Sequence, residues 1–524
     1  MMLLCLLWAC SENIVEEVVE DVSQHEPMRL LRRWSLDIRG VLPSIEELEM
    51  VRADATQLES LLDVFLEDAR WEEQLIHRLQ EQWHTRVDKF SVVPDDFYLE
   101  GYSSWYSFNR SVGEEPLRLM AHIATEDLPW TDIVLADYSI ANEQLASMYP
   151  IEYPENASGW QKVYYTDGRP AVGVLATNGM WWRYITDSLN MNRMRAATTM
   201  RLLLCDDLLS RPISFEASAH ALEDVTTALQ QDWACLNCHA SLDPLASALF
   251  GFYWIEEGNP LEAVSYHPER ELLGPNYIGV EPAFYGTSVG SLADVGLAIM
   301  RDPRFGQCAV QNFSEMYLRR KMGALDHHSL QPHVDKFVEG ELRIKPLVKS
   351  ILLSAEYIRN DSPEDKRVHT LRLITPRQLM SSMKEWNARE WEKDNAPLLD
   401  DAYRVMMGGV DGLNTFAPQL YPSTTTGLTL KRFSQFTATQ IVEEGLELDT
   451  GLLGFVHAST NPQDESFVKQ LDYLRIQLHA MEPTEEWRTD ITSLWETCTA
   501  EDSPKLGWIC VISAMMQDLD FVSY

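Results

Sequence analysis

Asp232-Trp233-Ala234-Cys235-Leu236-Asn237-Cys238-His239-Ala240-Ser241-Leu242-Asp243-Pro244-Leu245 is the stretch on which the reading of this chain turns. At its centre stands C-x-x-C-H, the attachment pattern of a c-type haem. Two thiols at that spacing can form thioethers with the two vinyl groups of a haem, and the adjacent histidine then lies under the iron as proximal ligand. Eight cysteines and thirteen histidines in 524 residues make the pattern a rare coincidence. The expected cofactor is therefore haem c, bound through Cys235, Cys238 and His239. Asp243-Pro244 is expected to fix a loop behind the histidine. Trp233 and the apolar run Leu245 to Phe252 are expected to wall the haem from water.

Other chemistries use the same residues. A structural zinc needs four ligands, typically with a second paired cluster, and the remaining cysteines of this chain are isolated in sequence. Thiol–disulfide exchange through C-x-x-C belongs with a βαβ pattern that does not surround the motif. An inert motif is the bland alternative. A six-coordinate haem needs a second axial ligand. Met322, just before Gly323, and Met300, on an apolar helical run, are the distal candidates. Met316 reads rather as flexible core filler. His267 is the best histidine, and an open sixth position is the alternative. His327, His328 and His333 lie among polar residues and read as solvated histidines on a surface turn. Trp83-His84 and Trp181-Trp182 can line a pocket, but core packing explains them as well.

Outward from the motif, helical periodicity dominates. Ser44 and Glu47 form a capping pattern for a helix over 44–51. Leu58, Leu61, Leu62, Phe65 and Leu66 recur at steps of three and four, which predicts an amphipathic helix pair across 56–90. Residues 115–125, 139–148 and 192–210 read as further helices. The acidic pairs Glu46-Glu47 and Glu114-Glu115 read as helix-start carboxylates. Loops are expected at 91–116, 150–180 and 251–290. A boundary at 360–370 precedes a helix with Thr375 as cap and Pro376 in its first turn. The expected fold class is mainly α: a multi-domain helical protein with a cytochrome c-like haem module and long irregular loops. The expected divisions are a signal at 1–10, an acidic tether at 11–27, helical modules at 28–110 and 111–215, the haem module at 216–360 and a C-terminal helical domain at 361–524.

The net charge of −37, from 80 acidic against 43 basic residues, repels phosphate backbones and excludes nucleic acid as a natural partner. A basic redox protein suits it better, although such a surface also serves solubility alone. The opening Met1-Met2-Leu3-Leu4-Cys5-Leu6-Leu7-Trp8-Ala9-Cys10 looks like the lipobox of a bacterial lipoprotein, with cleavage before Cys10 and a lipid on that cysteine. Setting aside Cys5, Cys10 and the motif leaves Cys205, Cys308, Cys498 and Cys510. Cys498 and Cys510 bracket a short turn and suit a local disulfide, which leaves Cys205 with Cys308; buried free thiols are the alternative.

The motif and its flanks resemble the planctomycete-type cytochrome c-like families, which pair C-x-x-C-H with a following Asp-Pro and an apolar helix. Leu203-Leu204-Cys205 upstream is similar to the segment before their motif. Ala293 to Tyr357, with Phe305, Cys308, Tyr317, Gly323, Asp326 and Ser354, is similar to their C-terminal helical module. Leu30 to Pro43 resembles an associated module through Arg32-Arg33, Trp34, Leu36-Asp37, Gly40 and Pro43. A glycine common in these families after the Asp-Pro element is Ala246 here. The resemblance implies exported, often lipid-anchored bacterial proteins of the cell envelope, periplasmic or outer-membrane, mostly of unassigned activity. The functional expectation is a c-type haem lipoprotein for one-electron transfer rather than a catalyst. The alternatives are a haem enzyme acting on a peroxide or organic substrate, and a haem-free surface scaffold.

Overall fold

Pro27 at the first helical position opens α1 (Pro27–Ile38), whose residues Leu30, Leu31, Trp34 and Ile38 recur at helical spacing and are buried together. The computed structural model describes residues 26–92, 97, 105–212, 229, 232–253, 260–358, 372–386, 388–393, 396–448 and 451–524. The expected signal at 1–10 with Cys10, the tether up to residue 25 and the boundary at 360–370 lie outside the described residues. The protein is mainly α-helical.

The capping box of Ser44 and Glu47 forms and starts α2 (Ile45–Ala53). The periodic leucines fill α3 (Leu58–Leu66), and α4 (Arg70–Trp83) buries Trp71, Leu75, Ile76, Leu79 and Trp83. The expected loop at 91–116 is helical from Trp105, where α5 (Trp105–Thr125) begins. This helix is legible only in part from sequence, because polar residues occupy its buried faces. Glu114 and Glu115 sit mid-helix and wholly buried, not at a helix start. Glu114 bonds Arg110 at 2.7 Å and Arg118 at 2.8 Å, and Arg86 lies 3.6 Å away. Burial alone would raise its carboxyl, but these three guanidinium groups outweigh that and hold it far below the ordinary range. Glu115 accepts from Tyr165, Ser139 and the Gly179 amide.

The segment 139–148 is not one helix. Ser139–Ala141 is strand β1, and Asn142 then caps a single helical turn, Glu143–Ala146, by accepting from the Leu145 amide. Pairing with Gln161–Val163 holds the first three residues as a strand, and the Asn142 cap lets a helix start only after them. The expected loop at 150–180 contains β2 (Ile151–Glu152) and β3 (Gln161–Tyr165), giving a small antiparallel sheet in the order β1-β3-β2. Helix Asn178–Arg183 crosses α5 at Gly179, where a Cβ would stand 2.1 Å from the Val112 carbonyl oxygen. The reading of 192–210 divides into α6 (Arg193–Leu204) and a 3-10 turn, Leu208–Ser210. The motif follows on α7 (Trp233–Ser247). The segment 251–290 holds short helical turns and a two-stranded ribbon rather than one open loop.

Helices α8 (Leu292–Arg301), α9 (Pro303–Leu318), α10 (His327–Glu339) and α11 (Ile344–Leu352) complete the first part. Residues from all three segments 28–110, 111–215 and 216–360 contribute to one continuous apolar core. A second core gathers α12 (Pro376–Glu385), α13 (Thr424–Leu448), α14 (Glu465–His479), α15 (Glu485–Glu501) and α16 (Pro504–Met515). Thr375 caps α12 as its sequence predicts, with Gln378 closing the capping box. Disulfides Cys205–Cys308 and Cys498–Cys510 both form; the first joins α6 to α9 and the second joins α15 to α16.

The two cores meet at α1, which sends Leu36 into the second. Between them lies Asp37, 1% exposed. It accepts from Arg78 at 2.9 Å, Tyr524 at 3.0 Å, Tyr357 at 2.8 Å and Arg372. Arg32 donates to the Phe521 and Ser523 carbonyls, and Arg33 lies over the Tyr357 ring. The Arg-Arg, aromatic and Leu-Asp pattern of Leu30 to Pro43 is thus a fastener between the beginning and the end of the described chain.

Candidate functional site

Asp232 starts α7 by accepting from the Ala234 amide at 2.9 Å, which places Cys235, Cys238 and His239 on its first two turns. Beyond them Leu242, Leu245 and Ala246 are buried and anchor the helix in the core. Ala246, where the similar families carry glycine, is fully buried inside the helix, a place that favours alanine. Ser247 closes against the segment after it: its hydroxyl donates to the Val280 carbonyl, and Gly274 passes so close that a Cβ would meet the Ser247 carbonyl oxygen at 2.1 Å.

Asp243 and Pro244 do not make a loop; both lie inside α7. Pro244 lacks an amide hydrogen, so the Ala240 carbonyl loses its helical partner. Ala240 is exposed, and water can take that bond. Helical geometry then sets Asp243 one turn from His239. The Asp243 carboxylate pairs with His239 Nδ1 at 2.8 Å, and Arg193 from α6 grips it with Nε at 2.7 Å and Nη2 at 3.0 Å. Burial would raise the Asp243 carboxyl, but His239 and Arg193 outweigh it and hold it below the ordinary range. A neutral ring paired in this way carries its hydrogen on Nδ1 and presents the Nε2 lone pair. Nε2 has no hydrogen-bond partner among the described residues.

Cys235 and Cys238 are half-buried free thiols, whereas the other four described cysteines are paired. Partial burial first, and the Asp232 carboxylate second, push the Cys235 thiol up and keep its sulfur protonated. Cys238 Sγ donates to the Leu208 carbonyl at 3.7 Å. That turn is fixed in its own right: Arg211 donates to the Asn237 carbonyl and pairs with Asp206, which also receives Tyr285. The Cys205–Cys308 disulfide holds the start of the same turn. Leu209, next to the Leu208 that meets Cys238, Trp233 on the first turn of α7, and Met194, next to the Arg193 that meets Asp243, are 90%, 64% and 50% exposed. Trp233 stands exposed on the first turn of α7, and Leu245 to Phe252 face the core.

The remaining expected residues lie on other elements. Met300 is half-buried on α8, and Met322 is buried after α9 with its amide on Glu315. His267 is occupied, Nδ1 beside Glu269 at 3.3 Å and Nε2 on the Glu262 carbonyl at 3.3 Å. His333 is not solvated: it is buried in α10 with Nδ1 2.8 Å from the Ser350 hydroxyl, and burial pulls it down to about 4. Trp181 and Trp182 are core residues whose indoles donate to the Leu175 and Ala263 carbonyls. Among the described residues no group of three or more His, Cys, Asp or Glu side chains could hold a metal ion, so the motif's thiols and imidazole do not converge as a zinc site demands. Arg193 and the Asp206–Arg211 pair were not singled out by sequence reasoning. The four-residue spacing of His239 and Asp243 was the available signal, hidden by reading Asp-Pro as a turn.

Residues 46–151 match the model of the family described as protein of unknown function DUF1592, PSD4. It is one of the planctomycete-type group, of unassigned function. The matched segment runs from α2 to the start of β2 and ends well before Cys235. No curated protein and no solved structure matches the chain.

Proposed function

We propose that this protein carries covalently bound haem c at Cys235, Cys238 and His239 and works in single-electron transfer in a bacterial cell envelope. The observation that carries the reading is the state of these three side chains: two half-buried free thiols, beside an imidazole whose Nδ1 is engaged and whose Nε2 has no partner among the described residues. A metal-bound histidine ordinarily donates its other nitrogen to a carboxylate or carbonyl in this way. Each thiol would add across one vinyl C=C: a C–S bond forms at one carbon, the sulfur's hydrogen ends on the other, and nothing leaves. His239 would supply the proximal nitrogen. The bound group would supply a one-electron couple.

The chain's own contribution is position and environment. Asp232 and the α7 core hold the motif's backbone, and Asp243 and Arg193 orient the ring. The exposed apolar side chains of Leu209, Trp233 and Met194 offer surface for an apolar ligand to cover. The two disulfides suit an oxidising compartment, and the lipobox-like start suits a lipid on Cys10. The net charge of −37 suits a basic redox partner.

The test is a haem-stained denaturing gel, with mass analysis of the peptide holding Cys235 and Cys238, on protein from a host with a cytochrome c assembly system. Covalent haem on wild type and none on Cys235→Ala/Cys238→Ala is expected. A wild-type peptide of unmodified mass refutes the proposal. Cyanide added to the oxidised protein then separates electron transfer, with an unreactive low-spin spectrum, from the enzyme alternative, with a shifted one.

A further inference from the structure

The contact between α6 and α7 carries more than orientation. Arg193 reaches Asp243 through two bonds, at 2.7 and 3.0 Å, and Asp243 reaches His239 at 2.8 Å. Asp243 is 4% exposed, and the Arg193 side chain is 20% exposed. The carboxylate is thus shared between a permanent cation and a ring proton in a site where water screens poorly. A carboxylate bonded to the far nitrogen of a ligand imidazole makes that ligand more basic and favours the more highly charged state of the metal. The more of its charge a guanidinium takes up, the less reaches the imidazole.

Resting on the haem reading above, we infer that Arg193 and Asp243 are positioning residues that set the redox potential of the centre in opposite directions. Asp243 lowers it by adding negative charge to His239, and Arg193 raises it by drawing that charge away. The opposition separates this role from a merely structural one. Any substitution that loosens the site and admits water favours the oxidised form, so it lowers the potential whichever partner is changed.

The experiment is redox titration of full-length, haem-loaded wild type, Asp243→Asn and Arg193→Gln, each first checked for covalent haem. Asp243→Asn is expected to shift the equilibrium about tenfold toward the reduced form, a rise of ~59 mV for one electron. Arg193→Gln is expected to shift it toward the oxidised form. Shifts of the same sign, or none, in variants that keep covalent haem overturn the inference and leave the haem reading intact. Absence of haem from wild type overturns both. Should a variant fail to take up haem, nitrogen NMR of the histidine rings in haem-free protein decides, with His239→Gln identifying the signal. Wild type is expected to hold the proton on Nδ1 and Asp243→Ala, which leaves no acceptor there, to lose that preference; the same tautomer in both overturns the inference.

Discussion

Substituting Asp37 by Asn tests whether one buried carboxylate joins the two cores. In the structure it balances Arg78 and Arg372, both 2% exposed, and accepts from the hydroxyls of Tyr357 and Tyr524. An amide keeps the shape and removes the charge. Removing one partner of a buried ion pair costs roughly 3–5 kcal/mol, because the other charge stays desolvated. The tyrosine bonds weaken as well, at about 1 kcal/mol each for a neutral bond, although the amide oxygen retains part of them. The expected loss is about 4 kcal/mol. It should fall mainly on the second core, because Arg372 and Tyr524 belong to the segment that packs there. Urea unfolding followed by tryptophan fluorescence, with hydrogen exchange read helix by helix, is the assay. Wild type should unfold with α13 and α16 protected alongside α4, and Asp37→Asn should lose protection in α13 and α16 first. A variant within ~1 kcal/mol of wild type and with an unchanged exchange pattern would refute the fastening role. The double variant Asp37→Leu/Arg372→Met, which removes the carboxylate and one of its two cations and leaves Arg78 with Glu81, should recover part of the loss.

Burial pulls His84, His333 and His479 from 6.5 down to about 4, so each is neutral in the fold at neutral pH. The unfolded chain binds their protons first, and stability should therefore fall as pH drops from 6.5 to about 4, by at most ~3 kcal/mol for each. His333→Gln should flatten that slope in a pH series of melting curves, and an unchanged slope would count against His333 as a contributor. Replacing Cys498 and Cys510 by Ser opens a link between residues 12 apart, and replacing Cys205 and Cys308 opens one between residues 103 apart. Chain entropy gives losses of about 3 and about 5 kcal/mol, so the longer link should matter more; calorimetry showing the reverse order would point to native-state effects instead.

The elements legible in the sequence are those whose signal is local. Ser44 with Glu47 and Thr375 with Gln378 cap helices through groups three residues away, and the leucines of α3 state their own period. The failures have physical causes too. Over 139–148 the first three residues are held as a strand by pairing with β3, so a helix starts only after the cap at Asn142, and α5 hides because its buried Glu114 is met by Arg110 and Arg118 of its own helix with Arg86, and its buried Glu115 by Ser139, Tyr165 and the Gly179 amide. Asp243-Pro244 carries a strong turn signal, yet proline's fixed φ also fits a helix when the orphaned carbonyl is exposed.

Composition and spacing alone determined the acidic surface, the helical class, the C-x-x-C-H motif and the short link between Cys498 and Cys510, because charge, period and local spacing need no partner far along the chain. Only the tertiary structure decided that Arg193 reaches His239 through Asp243, that Asp37 meets Arg372 and Tyr524, and that the motif's neighbours Leu209 and Met194 stand uncovered. These depend on which helices pack against one another, and that is settled by burial of apolar area across the whole chain rather than by any residue's immediate neighbours.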